Sequence, residues 1–202
     1  LGTFGDIGTF SFFGSKTITT GEGGMVITDN KKLAEKIYKL KTVGVVPNKY
    51  YWHDLIGYNY RMTDIQAALG LSQLSRIDKF IKRRNEIAER YNNLLSDLPI
   101  TLPKIPQGVY SSFHLYIIRL KLDAIKKSHQ EVFADLRKAG IGVNLHYIPV
   151  YHHPYYRELG FDKGYCPQSE QYYNEAISIP IYYDLDNQTQ EKVIELLKQH
   201  IF

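Results

Sequence analysis

Apolar residues in this chain recur in short continuous runs at first and then at helical spacing. Residues 7–13 (IGTFSFF) are a run of β-formers bounded by Gly8 and Gly14, and 25–28 (MVIT) are a second run after the turn Gly21-Glu22-Gly23-Gly24. Both predict buried strands. From residue 30 the period lengthens: Leu33, Ile37 and Leu40 share one helical face, with Asn30 as the cap. Residues 42–60 hold five aromatics among Gly, Pro and Asn with no period, which predicts a long ordered loop, a kind of segment that is usually functional inside a compact domain.

Thr63-Asp64-Ile65-Gln66 has the chemistry of a capping box. It opens a helical stretch through Ala67, Ala68, Leu71 and Leu74 and onward through Ile77, Ile81, Ile87, Tyr91 and Leu95. That is too long for one ordinary helix, so a break is predicted around residues 75–78. Lys79, Lys82, Arg83, Arg84 and Arg90 fall mostly off the apolar stripe and read as a solvated face. Pro99, Pro103, Pro106 and Gly108 mark a connector. Strand (113–120), helix (129–139), strand (142–148), an aromatic loop, helix (168–176), strand (177–181) and helix (189–201) follow. The alternation predicts a small α/β or α+β domain with helices covering a sheet, and a division into domains 1–84 and 85–202.

Composition narrows the function class. The 202 residues are 44% hydrophobic, enough for one large domain or two small ones. Seventeen tyrosines suit polar-lined pockets and interfaces. The net charge of +4 favours an anionic small molecule and falls short of a nucleic-acid footprint. One cysteine, Cys166, excludes an internal disulfide and points to a reducing, cytoplasmic setting. No apolar run approaches a membrane span. The start, Leu-Gly-Thr-Phe-Gly-Asp, has no initiator Met and reads as the middle of a longer protein.

The chemistry concentrates in SFFGSKTITTGEGG, residues 11–24. A lysine held between two buried strands loses water around its charged form, which favours the neutral amine. A neutral amine is what an aldehyde cofactor needs to form a Schiff base. Ser11 offers a hydroxyl, and the turn at Gly14 offers backbone N–H groups, to a phosphate. On spacing alone Lys16 equally fits a solvated turn lysine. A nucleotide-binding P-loop fails on register: five residues separate Gly8 from Gly14, Ser15 intervenes before Lys16, and no helix-forming stretch follows. The histidines 146, 152 and 153 invite a zinc reading, but Pro149 and Pro154 break helical spacing and no Cys or acidic ligand stands close by, so no metal is expected. Cys166, beside Pro167, has no base partner in sequence and reads as a small packed residue.

Three strings in order, SFFGSKTITTGEGGMV, GYNYRMTDIQAALGLSQL and GVNLHYIPVYHHPYYRELGF, closely resemble the DegT/DnrJ/EryC1/StrS family of sugar aminotransferases across essentially the whole chain. The resemblance implies the C-terminal part of a pyridoxal-phosphate (PLP) transferase fold type I large domain, followed by a small α+β domain. It implies Lys16 as the Schiff-base and proton-shuttling residue, Ser11 as a ligand of the cofactor phosphate, and Asn59 as a residue reaching the phosphate of the neighbouring subunit's cofactor in a homodimer. His146 and Tyr147 would lie near the sugar-nucleotide pocket. The family's acidic partner of the pyridine nitrogen, its stacked aromatic ring and a further phosphate-binding hydroxyl would all precede Leu1, since Asp6 is too near Lys16 to serve as the first.

The implied reaction takes an amino group from L-glutamate to a nucleotide-linked 4-keto-6-deoxy sugar. Within the family, SSFHLYIIRL and the third string look more like the pseudaminic-acid pathway members, which act at C4 of a UDP-linked N-acetyl hexose. The lysine turn is also similar to perosamine-type members that act on GDP-sugars. A dehydratase on this scaffold carries histidine in place of the lysine, and Lys16 argues against it. A cofactor-free regulatory protein on the same fold is the rival from another class.

Overall fold

The computed structural model describes residues 2–201. The chain divides into two units, at Lys79 and Phe80. The expected boundary at 84/85 lies about a turn further along the same helix.

In the first unit, β1 (Gly8–Ser11) and β2 (Gly24–Ile27) pair antiparallel, Gly8 opposite Ile27 and Ser11 opposite Gly24. The predicted burial of these strands does not hold. Except for Gly8, β1 is exposed, and β2 is exposed or half-buried. Strands with continuous apolar runs need layers on both faces, and two strands alone cover neither face of one another. The helix expected from residue 30 is α1 (Lys31–Lys41), its first turn closed by the Asn30 side chain accepting the Leu33 N–H at 3.2 Å.

The aromatic loop that follows is pinned by its own backbone. Val43 N–H donates to the Tyr58 carbonyl at 2.8 Å, Tyr58 N–H to the Leu40 carbonyl at 2.6 Å, and Val46 N–H to the Trp52 carbonyl at 2.9 Å. Lys39 and Asp54 form an ion pair across it. Gly44 has φ +79°, and a Cβ there would meet the Leu55 carbonyl oxygen at 1.8 Å, so the crossing needs glycine. Next, α2 (Asp64–Leu74) carries the reciprocal Thr63–Gln66 capping box read from sequence. It stops at Ser75, within the predicted break, and α3 (Ile77–Leu94) resumes two residues later and runs into the second unit.

The second unit adds β3 (Ile100–Thr101), β4 (Tyr116–Leu120), α4 (His129–Lys138), α5 (Pro154–Glu158), α6 (Pro167–Glu175), β5 (Ala176–Ile179) and α7 (Asn187–Ile201). The sheet order is β3-β4-β5, antiparallel throughout. Alternation on β4 sends Tyr116, Ile118 and Leu120 into a core shared with Ile87 and Tyr91 on α3, Leu95 just beyond it, Val132 and Leu136 on α4, and Val193, Ile194 and Leu197 on α7. Each such side chain contributes about 1.5–3 kcal/mol on burial. A second capping box, Ser128 with Glu131, starts α4 and went unread in the sequence.

Two readings of this region need correction. Residues 142–148 form no strand: only Asn144 pairs, exchanging backbone hydrogen bonds with Ser178 at 2.9 and 3.1 Å. A few residues on, Pro149 has no N–H with which to continue a ladder. Arg84 does not belong to a solvated face. It is 8% exposed and donates to the carbonyls of Phe113 and Ile181 at 3.0 Å each. Its place on the inner side of α3 follows from those acceptors, and burial pulls its guanidinium below the usual value. Among the described residues no helix is long and apolar enough to cross a membrane.

Candidate functional site

The lysine loop, residues 12–23, is closed at its neck. Phe12 donates its N–H to the Gly23 carbonyl at 2.8 Å and accepts from the Thr20 N–H at 2.9 Å. The Thr19 hydroxyl caps the same Phe12 carbonyl at 3.1 Å and takes the Gly21 N–H at 2.8 Å. Buried Thr20 donates its hydroxyl to the Glu22 carbonyl at 2.7 Å. A Cβ on Gly23 would sit 2.2 Å from that hydroxyl oxygen, so only glycine lets the neck close. Gln66, fixed by its capping box, also donates to the Glu22 carbonyl at 2.9 Å and ties the loop to α2.

Within this frame the Phe13 N–H points to the Ser11 hydroxyl at 3.4 Å, and the Lys16 N–H closes a turn on the Phe13 carbonyl at 2.9 Å. Lys16 is half-buried, and no hydrogen bond or ion pair is recorded for its amine among the described residues. Within this chain β1 and β2 are open and do not enclose the lysine as expected. Ser11 is exposed and, while accepting from Phe13, keeps its own proton for another acceptor. A lysine amine and a serine hydroxyl five residues apart on one strand and its turn suit a phosphorylated carbonyl compound: one group to bond covalently and one to hold the anion.

Asn59 lies in the same unit on the aromatic loop, exposed, and bridged to Thr42. Its Oδ1 accepts from the Arg61 Nε at 3.0 Å, which leaves its amide N–H groups to donate outward. The rings of Tyr58 and Tyr60 stack 5.1 Å apart beside it. His146 and Tyr147 belong to the second unit. His146 Nδ1 lies 2.6 Å from the Ser178 hydroxyl, and the two rings meet edge to face at 4.6 Å. Tyr147 is 69% exposed and helps line a cavity of about 410 Å³ with Pro149, Ser169 and Tyr172. The five candidates thus fall on the end of β1 and the loop after it for Ser11 and Lys16, another loop for Asn59, and a separate unit for the last two.

His152 faces the Glu170 carboxylate at 3.2 Å, and His153 precedes Pro154 as the cap of α5. Among the described residues no group of three or more His, Cys, Asp or Glu could hold a metal ion. Cys166 is half-buried and donates its N–H to the Tyr151 hydroxyl at 3.2 Å. Sequence reading missed Glu170, the acceptor on which several loop donors converge. Its one available signal was an acidic side chain in the first turn of a helix opened by proline.

Comparison with known proteins supplies the class. The chain superimposes on Helicobacter pylori PseC, an aminotransferase involved in the biosynthesis of pseudoaminic acid, with TM-score 0.92 and 30% identity, over 100% of this chain and 54% of that one. It also superimposes on the PLP-form of a putative sugar aminotransferase, Spr1654 from Streptococcus pneumoniae, with TM-score 0.89 and 31% identity, over 98% of this chain and 52% of that one. Over the part it spans, the fold is the α/β fold of PLP-type aminotransferases. More narrowly, residues 1–198 match the DegT/DnrJ/EryC1/StrS aminotransferase family, and the chain belongs to it. Among curated relatives, a GDP-perosamine synthase of Vibrio cholerae is 38% identical over 99% of this chain and 54% of its own length. The chain therefore spans about half the length of the relatives it matches.

Proposed function

We propose that the full-length protein is a PLP-dependent aminotransferase. It would move an amino group from L-glutamate to C4 of a UDP-linked 4-keto-6-deoxy N-acetyl hexose. The observation that carries this reading is Lys16: half-buried, on a loop closed by its own hydrogen bonds that starts directly after Ser11. The 30% identical Helicobacter pylori PseC, an aminotransferase involved in the biosynthesis of pseudoaminic acid, supports the substrate class.

The cofactor, when bound, supplies the electron sink for the transfer. Lys16 would hold it covalently at rest and, once released, carry the proton at the reacting carbon by its amine. Ser11 would donate its hydroxyl proton to the phosphate. Asn59 would donate its amide to the phosphate held by a second subunit, in a homodimer. The exposure of Tyr50 (90%) and Ile56 (91%) on the same loop supports an interface there. His146 and Tyr147 would meet the sugar nucleotide. Residues 1–79 would complete a large cofactor-binding domain and the second unit would be the small domain.

A second reading, GDP-linked 4-keto sugar as the acceptor, is favoured by the 38% identity to the Vibrio cholerae GDP-perosamine synthase. Parallel assays of full-length protein with L-glutamate and each 4-keto nucleotide sugar test both. Turnover of the UDP-sugar supports the first reading, and turnover of the GDP-sugar alone replaces it with the second. Amine transfer to neither, by a protein that binds no PLP, would leave a non-catalytic relative of the family.

A further inference from the structure

The stretch from Ile148 to Cys166 has only a short 3-10 turn (Val150–His152) and the five-residue α5 as regular structure, and no strand pairing. Its order has another source. A single oxygen of Glu170, Oε1, accepts the Tyr151 hydroxyl at 2.9 Å, faces His152 Nε2 at 3.2 Å and accepts the Gly164 N–H. The Tyr151 hydroxyl in turn receives the Cys166 N–H at 3.2 Å. The two ends of the stretch, 151–152 and 164–166, are thereby gathered on one carboxylate, itself 12% exposed. Rings fill the interior: Tyr151 meets Tyr165 at 5.5 Å, and Phe161 meets Tyr165 at 5.1 Å.

Four residues before Tyr151 stands Tyr147, exposed at the mouth of the 410 Å³ cavity, with His146 beside it. The far wall of that cavity is Gln168, Ser169 and Tyr172, from the helix that carries Glu170. The same helix thus supplies one wall and, through Glu170, holds the chain that supplies the other.

We propose that Glu170 is a positioning residue: by gathering residues 151–166 onto α6 it fixes the wall of the cavity that carries Tyr147, the residue next to His146. This rests on the reading of those two residues as sugar-nucleotide contacts. Glu170 touches no substrate itself. A carboxylate suits the task because it is acceptor-only, can take several donors at once, and makes stronger bonds than a neutral acceptor.

The test uses the full-length protein with Glu170→Ala, read by amide hydrogen exchange and by kinetics. Exchange across residues 150–165 should quicken about tenfold or more while α3 and α7 keep their protection. The KM for the nucleotide sugar should rise about tenfold or more with the half-reaction of L-glutamate changed less than about twofold, since misplacing a binding group costs such factors. Tyr147→Ala should raise the same KM without quickening exchange around Glu170. Glu170→Gln keeps an acceptor oxygen and should fall between wild type and Glu170→Ala. If Glu170→Ala does not fold, Tyr151→Phe removes one bond of the set and should show the same two effects in smaller measure. Unchanged exchange overturns the proposal. So does faster exchange with an unchanged KM. Exchange is measured whether or not any sugar is turned over, so failure of the enzyme reading is distinguished from failure of the positioning.

Discussion

The chemistry proposed for Lys16 depends on its polar surroundings as much as on where it sits. Surface lysines commonly find a carboxylate, as Lys39 does with Asp54 and Lys127 with Asp135; no such partner is recorded for the amine of Lys16. An amine already paired would have to break that bond before bonding a carbonyl. Replacing Lys16 with Ala in the full-length protein should lower amine transfer by about 10³-fold or more, the scale of a lost proton carrier compounded by a lost tether. The protein should stay folded, since Lys16 lies on a turn and outside the buried core. Steady-state assay alongside a melting curve checks both parts. Arg84 makes the opposite case, a cation whose role is structural. Arg84→Met would leave the Phe113 and Ile181 carbonyls unpaired in the interior, and unfolding free energy should fall by about 1–3 kcal/mol in denaturant titration.

Elements were legible in the sequence where local chemistry decides them. The Asn30 and Thr63 caps and the break at Ser75 could be read because a cap and its helix lie within a few residues of one another, and the helices of the second unit could be read from the pattern along the chain. What failed was burial, which depends on the layers around an element. The IGTFSFF run reads as a buried strand from its side chains, yet β1 stays open because pairing with β2 covers an edge and not a face. Arg84 read as solvated because charge predicts exposure until three distant carbonyls supply acceptors. Of the candidate site, Ser11 and Lys16 were legible as one string. Glu170 was not, since its donors come from Tyr151, His152 and Gly164, brought together only by the fold.

Two element-scale outcomes follow from these bonds. Thr63→Ala removes the cap of α2 and releases Gln66 from the orientation in which it holds the Glu22 carbonyl. Stability should drop by about 1 kcal/mol in thermal unfolding, with faster exchange in residues 19–23. For the Glu170 cluster the sign of the pH effect is fixed by the direction of its shift. The Gly164 N–H, with Tyr151 and His152, holds this carboxyl below the usual carboxylate range. The order it gives residues 151–166 is therefore fully present above that usual range, and is lost as pH falls through the lowered folded value. Tyr151, its hydroxyl pushed up by burial and by its bond to Glu170, stays protonated on that descent, so loosening waits for Glu170 itself. Hydrogen exchange in residues 150–165, corrected for its intrinsic pH dependence, should rise on acidification in the wild type and show no such step in Glu170→Gln.

At the scale of the whole molecule, membership in the aminotransferase family and a chain spanning about half of its relatives make the full-length, assembled protein the object to test. The aromatic loop of Asn59 is proposed to meet a second subunit. Ile56→Asp, at a residue 91% exposed, should then weaken the dimer about tenfold or more by light scattering and lower activity with it, without lowering the stability of a single subunit.

The proposed covalent tether at Lys16 is tested most directly by treating the full-length, PLP-loaded protein with borohydride and mapping the labelled peptide by mass spectrometry. Label on the peptide that contains Lys16 is the predicted result. A protein that takes up no PLP, or one labelled at a different lysine, would contradict the account.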